Sequence, residues 1–390
     1  MMQNWIKQAL DELDELFPQN RIEKSKQRIS ALWYGKQPVD RYPVTYGYAL
    51  FNMYNAQHTA EQRLKRSFEE FYIHGRLNDD FIPAVFPGCR TSTIPNMFGA
   101  EEVVVNGDIS SKPIIHSLAD IDALPEPSIA PGTIAHEWLQ MQEYFLEETD
   151  GRMPVHVTDM QGPVDACGQI YSYDKLFLLA YTNPDYFHKL LSLVTEAFIL
   201  FWDAQKKLLG DLFVGTHLFG HNWVPEYFGA SISADSMVMV GPDFYHKFFR
   251  PYIERIGEHF GMLGVHSCGN FSANVDALCS TQYVRGINAA QMSVDKLLEA
   301  GLHNDTVVIA FSELDEVNET FTIIREQKLL VDLSVTGLSW PQKQGVSDDP
   351  DNTFGENLLI VPPREWSDSD WDRLKREEDL ILASSAVIGC

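Results

Sequence analysis

Cysteine is scarce in this chain, and basic charge is outnumbered by acidic charge. Five cysteines, at positions 89, 167, 268, 279 and 390, are an odd number without paired spacing. That excludes a disulfide framework as the source of stability and leaves reduced thiols, one or two of them available as ligands. Thirty Lys and Arg stand against 55 Asp and Glu, a formal net charge of −25. Such a charge repels phosphate backbones and anionic lipid surfaces, so neither nucleic acid nor membrane is an expected partner. No apolar run reaches the roughly 20 residues of a membrane-spanning helix; the longest, 190–201, is interrupted by Thr195 and Glu196. The N-terminal stretch sets Trp5, Ile6, Ala9, Leu10, Leu13, Leu16 and Phe17 at helical spacing with acids between them. It reads as an amphipathic helix rather than a signal peptide, and predicts a cytoplasmic protein. The chain also shows no internal repeat and no low-complexity tract.

What is present suits a large globular unit. Hydrophobic residues make up 45% and charged residues 22% of 390 positions, enough for a sizeable core. Eight short runs rich in Val, Ile, Phe and Leu, at 43–48, 81–86, 154–158, 212–218, 263–267, 286–288, 307–311 and 330–334, lie between helical patterns. Most are nearly continuous in apolar residues, as parallel strands covered by helices are. Asn183 and Pro184 open a helix with Phe187, Leu190, Leu191, Val194, Phe198 and Phe201 on one face, and Gly210 stops it. Pro242 opens another, with Phe244, Phe248, Ile253 and Ile256 inward, and Asp315 is placed to cap a third. The alternation predicts an α/β fold, a (β/α)8 TIM barrel over 41–390, preceded by a helical extension over 1–40. Residues 341–353, rich in turn formers and acids, read as an excursion at the active face or a linker to a C-terminal helix over 367–376.

Barrel enzymes carry their chemistry at the C-terminal ends of the strands. The polar residues that follow the apolar runs are therefore the ones to weigh: Asp159, Gln161, Gly162 and Asp165; His221, Asn222, Trp223 and Glu226; His266, Cys268 and Asn270; Glu313 and Asp315. In His266-Ser267-Cys268-Gly269, residues i and i+2 of an extended strand face the same side, so an imidazole and a thiolate can chelate one ion. Zinc takes both donors, and its catalytic sites use three protein ligands with one open position. The bland alternative is a buried histidine and a packed free cysteine. Asp159 and Asp165 invite a paired-carboxylate reading, against one in which Asp159 bonds its own loop and Asp165 caps the next helix. Trp223, Tyr227 and Phe228 suit an apolar wall for a ligand or ordinary core packing. His217 and His221 read as structural.

The chain resembles the uroporphyrinogen decarboxylase superfamily, and in motif its branch of cobalamin-dependent methyltransferases. The likeness runs over about 29–338. It rests on Ala31-Leu32-Trp33-Tyr34-Gly35 through Asp40-Arg41-Tyr42-Pro43-Val44, on Ser117-Leu118-Ala119-Asp120-Ile121-Asp122-Ala123-Leu124-Pro125 and on Gly162-Pro163. The helix from Gly241-Pro242-Asp243-Phe244 to Arg250-Pro251-Tyr252 and Val265-His266-Ser267-Cys268-Gly269 complete it. The resemblance implies the barrel and two chemistries. The Arg-Gln-Ala-Gly-Arg segment with which the decarboxylases grip their substrate's carboxylates is absent. After Pro43 the chain reads Val44-Thr45-Tyr46-Gly47 with no arginine, the family tyrosine after the Gly-Pro turn falls at Gln169, and the last strand's histidine falls at Thr336. Uroporphyrinogen itself is therefore not the expected substrate. The methyltransferases hold zinc with a His-x-Cys pair and a later cysteine, and move a methyl group between a corrinoid and a thiol. His266 and Cys268 match the pair, while the later cysteine also falls at Thr336, which leaves Glu313, Asp159, Asp235 or Cys390 as the third ligand, or a metal-free site of altered function.

The expectation is a zinc- and corrinoid-linked methyltransferase whose corrinoid resides on a partner protein. His266 and Cys268 are its metal ligands, Asp165, Gln161 and Glu226 its catalytic groups, and Asp159, Trp223 and Asn270 its contacts to a small-molecule substrate. A decarboxylase acting on another carboxylated small molecule, and a non-catalytic barrel that binds a corrinoid or tetrapyrrole, are the alternatives.

Overall fold

The computed structural model describes residues 3–47, 58–105, 108–217, 223–341 and 363–387. His221, Asn222, Cys390 and most of 341–353 lie outside them. Ten strands follow in order: β1 (Val44–Tyr46), β2 (Glu102–Val105), β3 (Asp108–Ser111), β4 (Val155–His156), β5 (Phe213–Val214), β6 (Phe228–Ser233), β7 (Met262–Ser267), β8 (Val284–Ala289), β9 (Val307–Glu313) and β10 (Leu330–Thr336). β2 and β3 form an antiparallel hairpin outside the ring. The other eight are the barrel strands: β1-β10-β9-β8-β7-β6 form one parallel sheet, and β4 pairs β5 in parallel.

Two segments join these sheets into a ring. Between β1 and β4, the Asp80 amide donates to the Val44 carbonyl at 2.7 Å, and Val85 exchanges bonds with the Pro154 carbonyl and the His156 amide at 2.8 and 2.9 Å. Between β5 and β6 the link runs through a side chain, the His217 amide donating to Ser231 Oγ at 3.0 Å. The chain is an (β/α)8 barrel of the α/β class with helices at its N-terminal end.

Two strand expectations need correction. The 81–86 run is extended but forms only a bridge at Val85, since Pro83 lacks a ladder donor. The run at 212–218 is followed by a further strand, β6, whose sequence Phe-Gly-Ala-Ser-Ile-Ser escapes an apolar-run criterion although all six residues are buried. Gly229 sits where β6 and β7 shift register, and a Cβ there would come within 2.3 Å of the Phe260 carbonyl.

The helices match their local signals. Pro184–Leu209 begins with its proline in the first turn, ends at Gly210 with φ +54°, and buries Phe187, Leu190, Leu191, Val194, Phe198 and Phe201 completely. Each such side chain contributes about 1.5–3 kcal/mol relative to an exposed one. The helix from Pro242 carries a π-turn over Tyr245–Phe249 just before Pro251, whose ring removes a helical donor. Asp315 does not cap its helix; Glu316 occupies the cap of Val317–Glu326. The C-terminal helix, Asp368–Ser385, is longer than expected and starts from a Ser367/Asp370 capping box.

The helix Gln19–Trp33 packs below the ring, and Asn4–Leu16 packs against the helix Ala60–Arg76. Ile29, Leu32 and Trp33 share one core cluster with Ile82, Val214, Phe228, Val307 and Leu330, residues at or near the strands' starting ends. The floor is therefore apolar and sealed, and the opposite, C-terminal ends are where polar side chains gather.

Candidate functional site

Asp235 stands two residues after β6, and His266 and Cys268 stand at the end of β7. One ligand atom from each lies within 4.8 Å of the others, and among the described residues this is the only such trio. His266 Nε2 is 3.2 Å from Cys268 Sγ and 3.4 Å from Asp235 Oδ1. Extended backbone at 266–268 puts imidazole and thiol on one side, as the i, i+2 spacing requires.

Two of the three side chains, His266 and Asp235, are held by neighbours. Asn288 Nδ2 donates to the Ile309 carbonyl at 3.1 Å, so Asn288 Oδ1 is the acceptor facing His266 Nδ1 at 2.7 Å. The His266 proton then resides on Nδ1, and Nε2 presents its lone pair to Cys268 and Asp235. Second-sphere partners of metal-bound histidines have this arrangement. Asp235 Oδ1 accepts the Cys268 amide at 2.7 Å, and Asp235 Oδ2 accepts Gln161 Nε2 at 3.2 Å.

Asp165 is fully buried, and its oxygens accept the amides of Asp235 and Ser236, each at 2.8 Å. It caps the turn that carries Asp235 rather than the helix it belongs to. Burial and the nearby Asp235 carboxylate push its carboxyl above the ordinary range, against the pull of those amide donors. Asp159 takes the Gln161 amide at 3.0 Å and the Ser233 hydroxyl at 3.2 and 3.3 Å. Beyond Ser233 lies buried His217, whose Nε2 and Nδ1 meet Ser233 Oγ and Ser231 Oγ at 3.1 and 2.8 Å. Burial lowers the His217 pKa, partly offset by Asp159. The inward serines of β6 thus tie His217 to Asp159. The two aspartates have separate partners, and no hydrogen bond joins them as a carboxylate pair.

The electrostatics disfavour a bare thiolate at Cys268. Burial first, then Asp235, Asp159 and Asp165, push the Cys268 thiol up to about 12. A thiolate here is unfavourable until a positive charge arrives, and a divalent ion reverses that balance by binding the thiolate directly. One thiol, one imidazole with Nε2 turned inward and one carboxylate make a donor set that zinc accepts.

Residues 84–213 match the family model described as Uroporphyrinogen decarboxylase (URO-D). Over that third of the chain the sequence is similar to the uroporphyrinogen decarboxylase family. Among solved structures it is similar to a methyltransferase from Methanosarcina mazei, with a TM-score of 0.59 at 15% identity, covering 91% of this chain and 98% of that one. At that identity the likeness speaks for the fold. No curated protein sequence matches the chain. No helix among the described residues is long and apolar enough to cross a membrane.

Within this barrel, the structure separates the expected site residues. Asp159, Gln161, Asp165, His266 and Cys268 converge at the C-terminal ends, with Asp235 among them. Asn270 is exposed beside them, its Oδ1 engaged by the Ser272 amide at 3.0 Å in a turn. Trp223 and Glu226 do not belong there. They precede β6, and Trp223 packs into the floor cluster with Lys26 Nζ 5.3 Å from its ring. Tyr227 lies against Tyr34, ring centroids 4.5 Å apart, and Glu226 is exposed at this end. The cause is β6 itself: a second strand directly after β5 obliges the chain to return to the floor through 223–227. Thr336, at the place of the later cysteine, donates to Glu313 Oε1 at 2.8 Å, and Glu313 is not one of the three converging donors.

Proposed function

We propose that this chain is a methyltransferase that carries zinc on Asp235, His266 and Cys268 and moves a methyl group between a corrinoid, held by a partner protein, and a thiol or other small acceptor. The observation that carries the reading is the convergence of those three donors at the barrel's C-terminal end. The similarity of residues 84–213 to the uroporphyrinogen decarboxylase family supports it, and the similar structure from Methanosarcina mazei bears the name methyltransferase.

A zinc ion with three protein ligands supplies a Lewis acid that draws a substrate thiol toward thiolate near neutral pH. The protein's own residues do the remaining work. Asn288 keeps the His266 lone pair inward, Gln161 and the Cys268 amide hold both Asp235 oxygens, and Asp165 fixes the turn beneath them. Asp159, backed by Ser233 and His217, is the carboxylate placed to contact substrate or receive its proton. A corrinoid on the partner would supply the methyl group and retain the bonding electron pair, and Asp159 or solvent would receive the acceptor thiol's proton.

Metal analysis after chelator-free purification tests this reading. Stoichiometric zinc is expected in the wild type, with loss in Cys268→Ala and Asp235→Ala. A wild type without zinc, or equal zinc in all three proteins, would remove the metal site and the proposed chemistry with it.

A further inference from the structure

Gln161 adopts a conformation its side chain does not favour. Its φ is +67°, in the left-handed region, where glycine is at ease and asparagine is tolerated better than a longer side chain. The neighbouring backbone imposes this turn. The Gln161 amide donates to Asp159 Oδ1 at 3.0 Å, and Gly162 lies so close to β6 that a Cβ would sit 2.2 Å from the Ser233 carbonyl. Pro163 then opens the next helix. Glycine at position 161 would make the turn without strain, yet a carboxamide is present.

That carboxamide reaches the metal trio. Gln161 Nε2 donates to Asp235 Oδ2 at 3.2 Å, while Asp235 Oδ1 accepts the Cys268 amide at 2.7 Å and faces His266 Nε2 at 3.4 Å. The carboxylate is held at both oxygens from two sides, so its plane is fixed relative to the imidazole and the thiol. Gln161 itself is buried and has no proton to exchange in the working pH range, which suits orientation rather than acid–base chemistry. Strained residues persist where the surrounding structure and function both require them.

We propose that Gln161 is a positioning residue of the metal centre, its strained backbone retained because the carboxamide sets the orientation of Asp235 as a ligand. The inference rests on the reading of Asp235, His266 and Cys268 as a zinc site and adds to it an uncharged residue, presented from the loop after β4, that governs affinity.

The test sets stability against affinity in Gln161→Gly and Gln161→Asn, each compared with the full-length wild type. Gln161→Gly removes both strain and carboxamide. Its melting temperature without metal should equal or exceed that of the wild type, while zinc affinity, measured by chelator competition, should fall about 10–100-fold. Gln161→Asn, which tolerates the turn but cannot reach as far, should show a similar loss of affinity. With cobalt(II) in place of zinc, the sulfur-to-metal charge-transfer band should persist in both variants while the ligand-field bands shift, marking a changed oxygen ligand beside an intact thiolate. Zinc affinity within twofold of wild type in Gln161→Gly, or identical cobalt spectra, would overturn the positioning role and leave the metal site standing. A wild type that binds neither ion would overturn both.

Discussion

Removing the Asp165 carboxylate should release the turn that presents Asp235. Both its oxygens are engaged, by the Asp235 and Ser236 amides at 2.8 Å each, and the residue has no exposed surface. In Asp165→Ala those two donors lose their acceptors without gaining free access to water, a cost of about 1–3 kcal/mol each. Local opening should become easier by about 3–4 kcal/mol, and at ~1.4 kcal/mol per tenfold the two amides should exchange with deuterium two to three orders of magnitude faster. Hydrogen exchange read by mass spectrometry on peptides covering 235–236 measures this directly. Peptides from the helix Pro184–Leu209 serve as the internal reference and should keep their protection. Asp165→Asn retains one acceptor oxygen and should fall between the two proteins. Exchange at 235–236 in Asp165→Ala within threefold of wild type would refute the argument that this carboxylate anchors the turn.

The remaining predictions concern groups away from the trio. Glu70 is enclosed beside His74 and Asp79, and burial pushes its carboxyl up to about 7, with His74 opposing and Asp79 adding to the shift. Because the folded form holds this proton more tightly than the unfolded chain, stability falls as pH rises from about 4 through 7, by about 3 kcal/mol at most. Glu70→Gln should therefore raise the melting temperature at pH 8 and change it little at pH 4; a wild type whose Glu70-dependent stability grows with pH would contradict this. On the floor, Glu226→Gln should leave zinc content and melting temperature unchanged, whereas Trp223→Ala should lower only the melting temperature, reflecting about 2 kcal/mol of lost packing. A tenfold loss of zinc in either would place these residues at the wrong end of the barrel.

The parts of the site that could be read in the sequence are those whose geometry is local. His266 and Cys268 are two residues apart on a strand, and backbone periodicity alone puts them on one side. Asp235 is 31 positions before His266; only the pairing of β6 with β7, Ser233 opposite His266, brings it into range. It stood among four expected third ligands because no local pattern distinguished it. The strand before it was hidden because its inward residues, Ser231 and Ser233, are polar and are satisfied by His217 and Asp159 rather than by apolar packing. Once β6 is overlooked, 223–227 falls at the mouth by default, which is how Trp223 and Glu226 came to be expected there. Sequence alone leaves Asp165 as a cap or as one of two paired acids, and the structure makes it a cap, though for a turn 70 residues away.

In the proposed site, an aspartate after β6 in place of the last-strand cysteine that the methyltransferase resemblance implies would conserve the ligands' formal charge, since thiolate and carboxylate each bring one negative unit. It does not conserve their hardness. Oxygen is a less polarisable donor than sulfur, so this pocket would discriminate less sharply against manganese and iron than one with two thiolates. Which ion occupies it in a living cell would then depend more on intracellular supply than on the protein's preference.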